Sequence, residues 1–569
     1  MQMQWKILQP DPAKVEAIRQ HLNCHPITAT VLANRNIETP PQADRFLQPT
    51  LDALPSPMGL HGMEAATRRI LAAMQRKEKI LIFGDYDADG VTATALLSQF
   101  FRSAGADVMV HIPHRIEEGY GLQPKHINQL AAPQKVGLII TVDNGSSSHA
   151  AVAAAERFGI DVIITDHHNF ETLPDAEAVI NPKLEGQPPE LAELAGVGVA
   201  FYLAIGLRMV LRDADWWKDH EEPRLIDLCD LVAIGTIADM VPLTGANRIL
   251  SKAGLKQMNS DPRPGIEALC RTCHLHSGSV TSEDIAFRLA PRINAAGRIS
   301  HAARALELLV SRTPDTAGTL AETLDQLNLR RQAIEREIYN GITRRMDSRD
   351  DLLRKKSILL ADDGWHSGVL GIVAAKLAAR YHRPVVLLAV ENGMGKGSGR
   401  SIPGLDLFGA LSRCEPLLEQ FGGHRLAAGL TVRSENIRKL QSDFETSVSD
   451  MTAIDDQTPQ LEIDSVIQFD QIGPQLLNEL KTLEPFGSKN PQPIFAAREV
   501  FVASAAIVGQ YHRRMSLWQT ANQDNRIDAI QFNLDPDTPK ADRFEQMAFR
   551  LQWNQYRGRK RVQIVVEDF

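Results

Sequence analysis

The sequence predicts an α/β protein: a parallel sheet wrapped by helices, a second α/β unit joined to it by one long helix, and a β-rich tail. Three observations lead there. From about Lys79, apolar runs of strand length alternate with alanine-rich stretches of helix length. From Asp315 to Met346, few apolar residues and many charges run on almost without a breaker. From about Pro459 the helical patterns thin out, and short strands with polar turns replace them.

Residues 1–60 are punctuated by Pro40, Pro41, Pro49, Pro55 and Pro57 and are expected to form an irregular packed arm. Residues 61–314 carry the first alternation: KILIFGD, then ATALLSQFFRSAG; ADVMVHIP; KVGLIITVDNG, then HAAVAAAERFG; and IDVIITDHH. Residues 315–348 read as a connecting helix, polar enough to bridge two units. Residues 349–456 hold the second α/β region, with SILLADDGW, RPVVLLAV and GGHRLAAGLTV. In residues 457–569, REVFVASAAIVGQ, RMSLWQT, RIDAIQFN and RVQIVVEDF suggest a small β-barrel.

Composition narrows the class. Among 569 residues, 43% are hydrophobic and 23% charged, a globular balance that excludes a disordered or fibrous chain. No apolar run approaches the roughly 18 residues of a membrane span. The start, MQMQWKILQPDP, lacks the pattern of a signal peptide. Five cysteines do not make a disulfide framework in so long a chain, so a reducing cytoplasm is expected. Lys+Arg total 62 against 70 Asp+Glu, a net charge of −8, so any basic surface must be a local patch.

Chemistry-bearing residues gather where strands are expected to end. DYDADG places Asp85, Asp87 and Asp89 after one strand, VDNG places Asp143, and TDHH places Asp166, His167 and His168. DLVAIGTIADMVPL presents Asp239 after a further apolar run, also read as a strand. In an open parallel sheet, ligands bind beyond the carboxyl ends of the strands, so these segments should converge. Clustered carboxylates repel one another unless cations neutralise them, and carboxylates mixed with imidazole suit Mn²⁺, Zn²⁺ or Fe²⁺, oxygen-rich sites Mn²⁺ or Mg²⁺. DYDADG is not an EF-hand loop. The bidentate Glu would fall at Leu96, and a strand rather than a helix precedes it.

These segments resemble the DHH phosphoesterase superfamily. GDYDADG, IPHRIEEGYG, TVDNG, TDHH, AGVGVAF, GTIADMVPL, LAPRINAAGR, GSGRS and GGHRLAAG occur in the order and spacing of its RecJ family of bacterial exonucleases. The resemblance implies a DHH parallel-sheet domain, a DHHA1 domain and a C-terminal OB-fold barrel. It implies a single-stranded-DNA-specific 5′→3′ exonuclease that releases mononucleotides by two-metal phosphodiester hydrolysis, in recombination and repair. Carried over by position, Asp87, Asp89, Asp143, His167 and Asp239 resemble metal ligands, with Asp143 bridging two Mn²⁺ or Mg²⁺ ions. His168 resembles a ligand or phosphate contact, and Asp166 a residue orienting a ligand histidine. Relatives commonly carry His four positions before Asp87. Here that residue is Phe83, so the two ions are expected to bind with unequal affinity, Asp85 or water completing the weaker shell.

The same resemblance puts Arg115, Tyr120, Arg292, Arg298, Ser398, Arg400 and His424 on the substrate. Arginine forks suit phosphate, and tyrosine can stack on a base. For Arg292 a structural ion pair remains the alternative. GKGSGRS is glycine-rich but no P-loop, because Gly397 follows Lys396. WNQYRGRKR, Trp553–Arg561, interleaves basic and aromatic residues as a single-strand groove would, or forms a solvated hairpin turn. Single-stranded-DNA-binding protein and a RecQ-type helicase are the partners implied, with the chain a monomer. CRTCH (Cys270–His274) matches a haem-attachment or zinc pattern only weakly. Two other functions remain. One is hydrolysis of short oligonucleotides or cyclic dinucleotides, whose enzymes resemble the core but lack the β-rich tail. The other is a non-catalytic replication scaffold, which should have lost the metal-type residues that are intact here.

Overall fold

The computed structural model describes every residue except 1–2, 277, 452–459, 510, 520–521, 533, 535–540 and 557–558. The first sheet is parallel throughout, in the order Val108–His111, Lys79–Phe83, Val136–Val142, Asp161–Thr165, Ala178–Ile180. Its strands are nearly continuous apolar runs because both faces are covered. Ile80 and Ile82 point into the core shared with the helices Ala88–Ser103 and Gly196–Asp213. Leu81 and Phe83 point the other way, into a smaller core with Ile127 and Ala151.

The long helix spans Pro314–Asp347, with Thr313 as its N-cap. Its charge hides a spaced apolar stripe. Ala317, Ala321 and Leu324 enter the core of the first unit, and Ile338, Ile342 and Met346 enter the core of the second. One rigid rod therefore sets the distance between the two units. The second sheet is mixed, ordered Leu418–His424, Ala427–Arg433, Met394–Arg400, Val385–Glu391, Ile358–Asp362. In the tail, six strands from Ser465–Val466 to Arg559–Asp568 form a barrel, closed by Phe495–Val508 pairing with Arg543–Tyr556. No helix among the described residues is long and apolar enough to cross a membrane.

Two expectations need correcting. Residues 1–60 are not irregular. Helices Pro12–Leu22, Pro26–Asn34 and Pro40–Leu47 each begin on a proline, the position where its missing N–H costs nothing. Strand Gln4–Ile7 pairs in parallel with Gln460–Ile463, and Ile18, Ile27, Leu32 and Phe46 share one core with the barrel. The second correction concerns the run before Asp239, which is the helix Cys229–Ala238 rather than a strand. Residues 229–237 are all buried, so the run shows no polar face to betray its period.

The barrel and arm are pinned to the first unit by Arg248. Its guanidinium lies 3.7 Å from the Phe46 ring centroid and donates to the carbonyls of Phe46 (2.9 Å) and Glu484 (3.1 Å).

Candidate metal centre and strand cleft

Local folding explains each acidic side chain. Asp87 is the N-cap of the helix Ala88–Ser103, and its Oδ1 accepts from the backbone N–H groups of Asp89 (3.0 Å) and Gly90 (3.1 Å). One oxygen caps, which leaves the other for a ligand. Asp89, the second residue of that helix, receives the first N–H groups of a different helix: Gly196 N to Oδ2 (2.7 Å) and Val197 N to Oδ1 (2.9 Å). The positive end of that helix thus faces a buried carboxylate. Gly196 is required by proximity, because a Cβ there would stand 2.6 Å from Asp143 Oδ1. Asp143 follows its strand in the left-handed region, at φ 63°, a conformation costly for most residues that Asp and Asn enter more readily than other non-glycine residues. Asp239 caps the C-terminus of Cys229–Ala238.

The structure brings these groups together. Ligand-type atoms of Asp85, Asp87 and Asp143 lie within 4.8 Å of one another, and so do those of Asp89, His167 and Asp239, and of Asp143, His167 and His168. His167 Nε2 stands 3.0 Å from Asp143 Oδ1, 3.6 Å from Asp239 Oδ2 and 3.7 Å from Asp89 Oδ2. Despite the 3.0 Å approach, His167 Nε2 and Asp143 Oδ1 are both buried without a hydrogen-bond partner, and so is Asp85 Oδ1. Such orphans are rare in folded proteins. Two donors held about 2.1 Å from one ion at right angles would stand about 3.0 Å apart, the spacing found here.

Electrostatics point the same way. Burial, with Asp87 nearby, raises the Asp89 carboxyl to about 7 and holds Asp85 well above the usual range. Burial and the charges of Asp89 and Asp87 push Asp239 to about 9, and burial with the surrounding carboxylates raises Asp143. Burial and His168 lower His167 to about 4, so its imidazole is neutral and free to bind a cation. The donor set therefore fits divalent cations. His168 behaves differently. Burial lowers it, but the hydrogen bond from its Nδ1–H to Asp166 Oδ1 (2.8 Å) prevails and holds it up at about 9. Asp166 also accepts the backbone N–H groups of Ser146 and His167, and is held well below the usual carboxylate range. It orients His168, not His167.

Phe83 is fully buried against the rings of His126 (4.8 Å) and His111 (5.5 Å). Asp85 joins Asp87 and Asp143 in one of the clusters. Sequence reasoning left Asp85 outside the main ligand set, and missed Asn294, whose Oδ1 accepts the Ala88 N–H (2.9 Å) and holds the DYDADG loop.

A second group lies beside the first. Arg115 stands over the Tyr86 ring (4.7 Å), and Arg298 donates to the Gly368 carbonyl (3.2 Å) in the second unit. Arg400 donates to Ser398 Oγ (3.0 Å), and a Cβ on Gly371 would meet both side chains at 3.0 Å. Burial, Arg115 and Arg400 lower Arg298 to about 9, and burial with Arg115 lowers Arg400. Mutually repelling guanidiniums in one pocket form a site that an anion relieves. The Tyr120 hydroxyl lies 3.2 Å from His168 Nδ1, and its ring is half exposed. Burial lowers His424, and so does the charge of His168 on the other unit.

Arg292 is not part of this group. Its guanidinium pairs with Asp325 of the long helix (2.8 Å), so it is a strut. Cys270 and Cys273 are buried thiols raised by burial, and no metal-type cluster among the described residues includes them. Trp216 packs, donating to the Ala104 carbonyl (3.0 Å). In the tail, Lys560 lies 4.2 Å from the Trp553 ring centroid on paired antiparallel strands; residues 557–558 of the WNQYRGRKR run lie outside the described residues.

Comparison with known proteins identifies the family. Family models match the DHH family N-terminal domain over residues 79–236, the DHHA1 domain over 355–450 and the RecJ OB domain over 463–568. The single-stranded-DNA-specific exonuclease RecJ of Bacillus subtilis is 36% identical over 575 residues, covering 100% of this chain and 70% of that protein. The Escherichia coli protein of the same name is 36% identical and covers 95% of each chain. The crystal structure of RecJ from Thermus thermophilus in complex with Mn²⁺ superposes with a TM-score of 0.84 at 29% identity, over 99% of this chain and 79% of that one. Full-length similarity across all three modules, with the acidic cluster intact, places the chain in the RecJ family of DHH phosphoesterases.

Proposed function

We propose that the protein is a metal-dependent exonuclease specific for single-stranded DNA, working 5′→3′ and releasing mononucleotides. The observation that carries this reading is a pairing of opposite needs in one cleft. A buried carboxylate–imidazole cluster requires cations, and beside it a set of guanidiniums requires an anion. A phosphodiester next to a terminal phosphate satisfies both.

Asp89, Asp143, His167 and Asp239 would hold one divalent ion, and Asp85, Asp87 and Asp143 the other, with the second set weaker because it lacks an imidazole. When bound, Mn²⁺ or Mg²⁺ supplies positive charge at the scissile phosphate and makes a nucleophilic water more acidic. Arg115, Arg298 and Arg400, with Ser398, grip the phosphate at the 5′ end. His168, oriented by Asp166, whose hydrogen bond holds it up at about 9 in the metal-free site, would donate from Nε2 to a phosphate oxygen when protonated. Tyr120 offers a half-exposed ring to a base, and His424 approaches from the second unit. The barrel holds the strand behind the cleft, which supports repeated cleavage. Domains are drawn at 61–314, 315–348, 349–456 and 457–569, with the arm belonging structurally to the last of these. In the cell the protein would act in the cytoplasm as a monomer, on strands presented by a RecQ-type helicase and single-stranded-DNA-binding protein, in recombination and repair.

Product analysis tests this. Strands labelled at the 5′ or 3′ end, blunt duplexes and dinucleotides are incubated with Mn²⁺. Mononucleotides released first from the 5′ end of single strands alone are expected. Preference for dinucleotides would favour the short-substrate reading, and absence of hydrolysis with retained strand binding would favour a scaffold.

A further inference from the structure

The segment Ile112–Gly121 carries Arg115 and Tyr120 but has no regular secondary structure. One side chain within it gathers the surrounding bonds. Glu118 Oε1 accepts the backbone N–H of His114 (2.8 Å), and Oε2 accepts from Nε2 of His111 (3.0 Å) and Nε2 of His126 (3.1 Å). The Glu118 carbonyl accepts from Lys125 Nζ (2.8 Å) and Gln123 Nε2 (3.0 Å). The loop is thereby tied on one side to the end of strand Val108–His111 and on the other to the turn Pro124–His126.

Two histidines and a glutamate within 4.8 Å of one another also have the composition of a metal site. The tautomer of His126 excludes it. Its Nδ1 accepts the Gln123 backbone N–H (3.0 Å), so the proton of the neutral ring sits on Nε2, which can donate to Glu118 but has no lone pair for an ion. Burial lowers His126 to about 4, which keeps the ring neutral. The cluster is a hydrogen-bonded staple.

We propose that Glu118 is a positioning residue for strand binding: by fastening the loop to His111, His126 and the His114 backbone, it sets Arg115 over Tyr86 and Tyr120 beside His168. It touches no substrate and acts through those two side chains. The proposal rests on the reading of Arg115 as a grip on the 5′ end.

The test compares Glu118→Ala, Glu118→Gln, Arg115→Ala and the Glu118→Ala/Arg115→Ala double variant in the full chain. Each is assayed with Mn²⁺ on 5′-phosphorylated and 5′-hydroxyl single strands, and its melting temperature is recorded. Arg115→Ala is expected to raise KM for the phosphorylated strand by about tenfold or more, the scale of a lost charged hydrogen bond. Glu118→Ala should raise the same KM severalfold and weaken preference for the 5′-phosphate, with kcat changed much less. In 5′-phosphate preference the double variant should be scarcely worse than Arg115→Ala alone, because Glu118 acts on that preference through Arg115. Glu118→Gln, which keeps the shape but turns an NH₂ toward donors, should lie between parent and Glu118→Ala, and it carries the test if Glu118→Ala does not fold. If Arg115→Ala leaves KM and 5′-phosphate preference unchanged, the reading of Arg115 fails. If Arg115→Ala shows the loss but both Glu118 variants keep parental KM and preference, or if the losses of 5′-phosphate preference simply add, the positioning role is overturned.

Discussion

Replacing Asp143 with asparagine should make the metal-free protein more stable and the enzyme inactive. The carboxyl is 1% exposed, one of its oxygens has no hydrogen-bond partner, and donor atoms of Asp85 and Asp87 lie within 4.8 Å. Two ionised carboxylates at that separation repel by about 3.5 kcal/mol at an effective dielectric constant of about 20. Raised carboxyl pKa values in the cluster mean that protonation already relieves part of this. A net gain of about 1–3 kcal/mol is therefore expected in EDTA. Asparagine keeps the shape and is among the few residues at ease at φ 63°. At roughly 2–4 °C per kcal/mol for a domain of this size, the first melting transition should rise by roughly 2–12 °C. The assay is a thermal melt at pH 8 with EDTA, repeated across a Mn²⁺ titration, beside a nuclease assay. The parent should be stabilised by Mn²⁺, as binding to the folded state requires, and the variant should respond far less. A variant that melts at or below the parent in EDTA, or one that keeps more than a few per cent of activity, refutes the reasoning.

Three further outcomes are expected. Asp89 and Asp239 are raised to about 7 and about 9, so the folded metal-free protein binds protons that the unfolded chain releases near pH 4. Below about pH 6.5 the lowered His167 and His126 offset this, so stability in EDTA should fall as pH rises from about 6.5 to about 9, with Mn²⁺ reversing the trend, and a melting temperature flat across that window would contradict it. Gly196→Ala should cost about 1–3 kcal/mol and weaken Mn²⁺ binding by calorimetry, because its Cβ would stand 2.7 Å from the Asp143 Cβ. Replacing Lys560 and Arg561 with alanine should weaken binding to long single strands and flatten the salt dependence by about 1.4 in log–log slope; unchanged slope would remove these residues from the strand path.

What the sequence determined by itself was the chemistry and most of the architecture. Strands such as Lys79–Phe83 and Val136–Val142 are buried on both faces and end in acidic turns, a pattern short enough to read without neighbours. The long charged helix was legible for the same reason, since its period is local. Tertiary structure decided what depends on contacts distant in sequence. The prolines of the arm begin helices only because Ile18, Ile27 and Leu32 find a core in the barrel more than 400 residues away. The run before Asp239 is a helix buried on every side, and that burial erases the polar face that distinguishes a helix from a strand in sequence. Arg292 and Arg298 lie in one motif, yet one pairs with Asp325 while the other meets Arg115 and Arg400, a difference set by where the long helix passes. Phe83, the last residue of its strand, shares the face of Leu81 and turns away from the cluster, whereas Asp85 lies beyond the strand's end, where alternation no longer holds, and joins it.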